Sequence, residues 1–514
     1  MKKRLTTKGR RLVTSLVLFS LGLVLPLSRI VGQSGNNDSN VVAAIVGVTA
    51  GLRPQGRANV GATRIQVDDF GAKGDGNTDD SAALEAARDA SGKSGVTLVF
   101  RPSAVYRTTR RFDINKSNVI VEGNNAEILF QPVDVARHER ALYIQGSVSD
   151  LRNVKGPISI GAISFTASSA VDTADLMTGD WLTIQERDPR MKDLVAFDMV
   201  QVRAVNGQVV SVFNPFRVAF TAIHETVKFR RVTNLVENTV IRDLRIRSTD
   251  EKNHLVGIAI NWSRNTILEN VVSQPRRGNA FFSYQAQGVK LVNCAQLSSQ
   301  SAASEFAATV DLSILGTTFS TVGASSDTSA LAIDTGSGFF GVIGNQISNG
   351  ANVLMQITTG AHDGLIIGNT FGFSQDEARQ AGHGLVLRGT ERVIVSNNIL
   401  IGGVGSGTGI STGDSLGFTA NIVSRDNQIK NNIVSGYAVS YDISPNDVLQ
   451  AGNSFFPGLV VEGGLKLKSP KAKPECTAVT RGTFWLVEGA SGTRDLLELC
   501  TKGADDIYAW RQLY

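Results

Sequence analysis

The residues best suited to chemistry in this chain are two carboxylates and two histidines: Glu305, Asp327, His254 and His383. Paired carboxylates can give and take a proton, and an imidazole does either near neutral pH. Asp250 and Glu251 precede His254, and Arg276 and Arg277 follow at the next comparable segment; these four are candidates for binding a substrate, the arginines by clasping an anionic group. Each lies in a polar stretch leading into an apolar strand. If those stretches stack, the side chains meet on one side of the molecule; otherwise they are solvated turn residues, the commoner fate of charged groups. The five histidines show no HxH or HExxH spacing, so a catalytic zinc site is not expected, and no clustered aspartates call for calcium.

Stacking is what the second half of the chain is built to supply. From Arg231 onward a short unit recurs as VIRDLRI, ILENVVS, KLVNCAQ, ILGTTFS, VIGNQIS, IIGNTFG, VIVSNNIL and QIKNNIV. Its marker positions are Asp243, Asn270, Asn293, Thr317, Asn345, Asn369, Asn397 and Asn431, separated by 27, 23, 24, 28, 24, 28 and 34 residues. Intervals that vary only by a loop-sized insertion indicate one solenoid turn each. Asn suits the bend between strands because it tolerates the left-handed region, and stacked Asn side chains can bond from turn to turn. A β-propeller would need longer repeats, of about 40–50 residues, and a sandwich has no reason to repeat Asn.

The column must be closed at its first turn. The stretch VDDFGAKGDGNTDDSAALEAARDASG is followed by VTLVFRPSAVYRTT. Asp75, Gly76 and Asn77 form a tight polar turn. A helix capped by Thr78 or Asp79 and stopped by Gly92 and Gly95 follows, with Ala83, Ala86, Ala87, Ala90 and Leu84 as its inner face. Strands are predicted over Val96 to Phe100, around Tyr106 and through NVIVEGNNAEILF.

This order of motif, helix, strand and coils resembles the opening of the pectate-lyase-like right-handed parallel β-helices, a superfamily that includes polygalacturonases, rhamnogalacturonases and phage tailspikes. The resemblance covers residues 65–130 and bears on fold more than on any one reaction. It implies an all-β, right-handed parallel β-helix (solenoid) with an N-terminal capping α-helix. It also implies a polysaccharide partner, acted on by a glycoside hydrolase or a polysaccharide lyase, with no cofactor except calcium in the lyase case. Gly382, His383 and Gly384 are similar to the Gly-His-Gly of polygalacturonases, but the rest of that pattern is missing. Asp334 stands alone in IDTGSG, Asp363 stands alone in AHDG, and Gln428 occupies the place of the arginine of an Arg-x-Lys triplet. A polygalacturonase is therefore disfavoured, and the alternative is a non-catalytic surface adhesin on the same scaffold.

The remaining segments complete the layout. Residues 156–232 break the rhythm and read as an antiparallel β insertion, with a hairpin turn at Asn206 and Gly207 and a small core of Trp181, Phe197, Phe213, Phe216 and Phe220. Residues 1–33, a basic head and an apolar run, read as an export signal or an uncleaved anchor, and 34–64 as a flexible leader. The β-helix is assigned to 65–465, a basic linker to 466–474 and a small C-terminal module to 475–514, stapled by Cys476 and Cys500. That tail resembles a module with RGT and YAWR motifs on exported bacterial repeat proteins. Cys294 is a buried hydrophobe. The net charge of +5 resides in the amino end: residues 1–33 hold seven of the 51 basic residues, leaving 44 against 46 acidic ones. Basicity thus gives no case for nucleic acid, membrane association depends on retention of the amino end, and the expected location is secreted or cell-surface.

Overall fold

The computed structural model describes residues 63–90, 95–133, 139–250, 253–297, 304–320, 329–348, 352–372, 382–450, 452–456, 473, 475–477, 484–487, 496–503 and 507–512. The proposed signal or anchor, Gly92, Glu251 and Asp327 lie outside the described residues.

Three parallel sheets wind round one apolar interior. The first contains Arg140–Gln145, Val256–Asn261, the start of Phe281–Val292, Ser304–Val310, Ser329–Asp334, Val353–Thr358 and His383–Arg388, each paired with the next in parallel register. The second runs from Thr63–Gln66 to Val448–Leu449, and the third from Asp75–Asp79 to Ser454–Phe456. Inward-facing residues such as Ile258, Phe281, Phe306, Leu331, Met355 and Leu385 have no exposed surface and belong to one continuous core running from Ile65 to Tyr441. Each such side chain contributes about 2 kcal/mol of burial, so the column is stabilised along its whole length.

The bend between the second and third sheets carries two Asn columns, offset by one residue. Asp243, Asn270, Asn293, Asn397 and Asn431 take the left-handed conformation, with Gly316, Gly344 and Gly368 in the same place. Thr317, Asn345 and Asn369 come one position later, where they are buried and join Asn398 and Asn432. The marker series therefore mixes the two columns. In the buried one, the Asn345 backbone N–H and Nδ2 both donate to Asn369 Oδ1 at 2.9 Å, and Asn369 donates in the same way to Asn398. Asn398 repeats the pattern onto Asn432, and Asn432 onto Asn453.

The helix spans Ser81–Asp89 and buries Ser81, Leu84 and Ala87. Its N-cap is Asp80, one residue beyond the expected cap, and the Asp80 carboxylate accepts hydrogen bonds from the Lys73 and Gly74 backbones at 2.6 and 3.1 Å instead of from the helix. Thr63 and Arg64, placed in the leader by sequence, already belong to the first strand.

The insertion, joined by Ser147–Val148 and Arg152–Asn153 just before it, forms a seven-stranded antiparallel sheet. Its hairpin turn is centred on Gly207 and Gln208, because Asn206 still pairs with Val209. Phe216 and Phe220 fill its core, Phe197 packs between it and the solenoid with the half-buried Trp181 alongside, and Phe213 is 51% exposed and not a core residue. At the tail, Cys476 and Cys500 form a disulfide beside a three-stranded antiparallel sheet, and Cys294 is buried and free. Among the described residues no helix is long and apolar enough to cross a membrane.

Candidate functional site

Side chains alternate across a strand, so the outer face of the first sheet is fixed by register. Phe282, Glu305 and Ala332 stand level on three successive turns, and Tyr284, Ala307 and Asp334 form the neighbouring row. Glu305 and Asp334 are therefore diagonal neighbours: one turn apart across the sheet, two residues apart along it. Strand spacing and rise place their Cα atoms about 8 Å apart. Ala307, between Tyr284 and Asp334, has a short side chain that leaves the space above it to its larger neighbours.

The insertion flanks this face. The Gln285 side-chain amide donates to Gln185 Oε1 at 2.7 Å, and Gly336 (φ 71°) meets Ala196 so closely that a Cβ there would lie 3.0 Å from its backbone. Further along, the Thr419 backbone N–H of the solenoid donates to Asp188 Oδ2 at 2.8 Å. The hairpin of Trp181–Arg187 and Leu194–Asn206 thus runs beside the sheet as a wall, and Asp193 at its tip adds a third carboxylate to the electrostatic surroundings of Glu305 and Asp334.

Burial and the neighbouring Glu305 carboxylate push the Asp334 carboxyl up to about 8, against the hydrogen bond from Thr335. Glu305 is raised as well, by burial and by Asp193, with Asn279 Nδ2 donating to its Oε2 at 3.1 Å. Among the described residues neither carboxylate has an ion-pair partner. The two carboxyl groups are near enough for the charge of one to oppose ionisation of the other, which favours a proton on Asp334 at neutral pH. Tyr284 is held in its neutral phenol form by burial, with Arg230 and Arg187 opposing. This supplies a proton donor, a carboxylate acceptor and a neutral hydroxyl on one surface.

The arrangement costs stability. An Asp raised above its unfolded value favours the protonated form in the fold, so the penalty is absent below about pH 4 and reaches full size above about pH 8. Asp334→Asn is expected to stabilise the protein at pH 9 by about 2 kcal/mol and to leave it unchanged at pH 3.5, as thermal melts at the two pH values would register.

The other sequence candidates are placed elsewhere. His383 lies on the same sheet but three strands beyond Glu305; its Nδ1 accepts a hydrogen bond from Thr408 N at 3.2 Å, and burial with Arg388 lowers its proton affinity. Asp250 and His254 lie in the loop entering Val256–Asn261, and Arg276 and Arg277 in the loop one turn later, where the Arg277 carbonyl accepts from Leu255 N at 2.8 Å. Those two loops do stack, at the entrance edge of the first sheet. Asp334 is the partner that sequence reasoning passed over, and Asp193 and Tyr284 were not singled out. Among the described residues no three His, Cys, Asp or Glu side chains group as a metal site.

No family model matches the sequence. A segment of 58 residues is 45% identical to alginate lyase 7 of Azotobacter vinelandii, which is 11% of this chain and 7% of that protein's length. Among solved structures, the tailspike gp61 of Pseudomonas phage phi297 is similar at 13% identity and a TM-score of 0.47, covering 77% of this chain and 79% of its own. PfbA, a surface adhesin of Streptococcus pneumoniae, is similar at 15% identity and a TM-score of 0.48, covering 76% and 85%.

Proposed function

We propose that the chain is an exported, polysaccharide-acting β-helix protein of the pectate-lyase-like kind, and that it hydrolyses a glycan lying along the outer face of its first sheet. The observation that supports this most is the Glu305–Asp334 pair, two carboxyl groups on successive turns whose proton affinities are both raised by burial and which have no ion-pair partner among the described residues. The protonated member gives its proton to the glycosidic oxygen as the bond to the leaving sugar breaks. The ionised member either takes a proton from water as that water attacks the anomeric carbon, or attacks that carbon itself to form a glycosyl ester that water, deprotonated by the other member, then hydrolyses. Tyr284 donates a hydrogen bond to the sugar that carries the developing charge.

The test is incubation of the purified protein with pectic, rhamnogalacturonan, alginate and bacterial capsular polysaccharides, following both new reducing ends and the ultraviolet absorbance of unsaturated sugars. Reducing ends without that absorbance are expected. Unsaturated products would replace hydrolysis with elimination, and binding without products would leave the surface-adhesin reading.

A further inference from the structure

The row that holds Glu305 continues across the first sheet toward the amino-terminal turns. Register sets Asp113, Tyr143, Ala259, Phe282 and Glu305 level on five successive strands, so Tyr143 stands three strands from Glu305, about 14 Å away at the usual strand spacing. Tyr143, Val256, Ala259 and Phe282 pack together as a separate apolar cluster, outside the interior of the column. This is a floor on which the apolar side of a sugar ring can lie. Glu305 stands at one end of it, and at the other the floor finishes in two cations. The guanidinium carbons of Arg111 and Arg140 lie 5.4 and 4.7 Å from the centre of the Tyr143 ring, and Asn261 Nδ2 donates to the Tyr143 hydroxyl at 2.9 Å. The ring thereby holds both cations in place. Arg111 also pairs through Nε with Asp113 at 2.9 Å, and 41% of its side chain is exposed. Among the described residues Arg140 has no such partner: its Nε is buried without a hydrogen bond, and Glu139 beside it accepts from the Arg140 backbone at 3.2 Å.

Two guanidinium groups around the ring with one paired carboxylate leave the positive charge of Arg140 uncompensated, and a half-buried guanidinium without a counter-ion costs stability. A ligand carboxylate would remove that cost. We propose that Arg111 and Arg140 form a subsite for the carboxylate of an acidic sugar, which makes the substrate class a polyanionic glycan of the uronic kind, its acidic residue a few sugars from the bond at Glu305. This rests on the reading that a glycan lies along the first sheet, and it holds whichever reaction the carboxyl pair performs. Arg140 offers the planar edge of N–H donors that a carboxylate accepts in pairs, and Arg111 offers the edge that Asp113 does not engage. A neutral glycan gains nothing from either and leaves Arg140 unpaired, so the subsite selects by charge.

The experiment measures binding of polygalacturonate, alginate and acidic capsular polysaccharides, each beside its carboxyl-reduced form, in which the same linkages join neutral sugars. Calorimetry is run on Glu305→Gln, so that no polymer is cut, with and without the pair Arg111→Gln and Arg140→Gln. At least one acidic polymer is expected to bind about 30-fold more tightly than its reduced form, to weaken as salt rises, and to lose the advantage in the arginine variant. Affinity for the reduced form is expected to stay unchanged. Equal affinity for acidic and reduced forms, a preference that survives the arginine variant, or no binding of any acidic polymer overturns the proposal. If the glutamine pair does not fold, Arg111→Lys with Arg140→Lys replaces it: the preference is expected to fall about tenfold with the salt dependence kept, and an unchanged preference overturns the proposal. Charge-selective binding with no products from wild type would keep the subsite and refute the hydrolytic reading; cleavage of acidic and reduced forms at equal rates would do the reverse.

Discussion

Glu305→Gln is expected to lower glycan cleavage by about 10³-fold in kcat with little change in KM. The amide keeps the shape of the side chain and its contact with Asn279, so the sheet has no reason to move. What it loses is the ability to share and pass a proton. Asp334→Asn removes the other half and is expected to cost a similar factor, and the double variant little more, because groups that act as a unit do not add. Steady-state kinetics beside circular dichroism would check both. Loss of activity together with loss of structure would count against a chemical role. His383→Gln serves as the contrast: three strands away from Glu305, it is expected to change the rate by less than about threefold.

The second large effect concerns the column itself. Asn369→Leu is expected to destabilise the protein by about 3 kcal/mol, read from denaturant unfolding. Asn369 Oδ1 accepts from both the backbone and the side chain of Asn345, and its Nδ2 donates to the Val342 carbonyl at 2.8 Å and to Asn398. Leucine fills the volume but strands those buried partners without water. Asn397→Ala, in the neighbouring left-handed column, is expected to cost only about 1 kcal/mol, through the left-handed backbone and one part-buried hydrogen bond to Ser396 Oγ. A reversed order of the two would mean that the buried ladder is not what ties the turns together.

How much could be read in advance follows from the same geometry. The marker spacing was legible because each turn must return the chain to one bend, and Asn, Asp and Gly are the residues that take the left-handed conformation there most readily. The one-residue offset between Asn345 and Asn397 was not, since Asn also serves at the next position for a different reason: its amide can donate and accept along the column. In SNN and KNN the two Asn stand side by side, and the sequence does not say which of them points inward.

The candidate site was half legible. Glu305 came from its place at the head of an apolar strand, but its partner was sought at Asp327, in the approach to the next strand. The approaches differ in length from turn to turn, so register counted across them drifts. Counted back from the bend it drifts by a single residue: Glu305 lies 12 residues before Thr317, and its neighbour Ala332 lies 13 before Asn345. Asp334, two residues on, then falls on the outer face. Asp193 has no such signal, because it is delivered by an insertion far away in the chain. The aromatic residues of the insertion show the same limit: Phe213 and Phe216 are three positions apart, and only the sheet decides that one faces water and the other the core.

The claim on which the account turns is that two acids on successive turns hold one proton between them. Infrared titration of wild type against Asp334→Asn measures this without a substrate. The account predicts a protonated carboxyl that persists through neutral pH, is lost near pH 8 and is missing from the variant. A wild-type protein whose carboxyl groups are all ionised by about pH 5, as unperturbed aspartates and glutamates are, would contradict it.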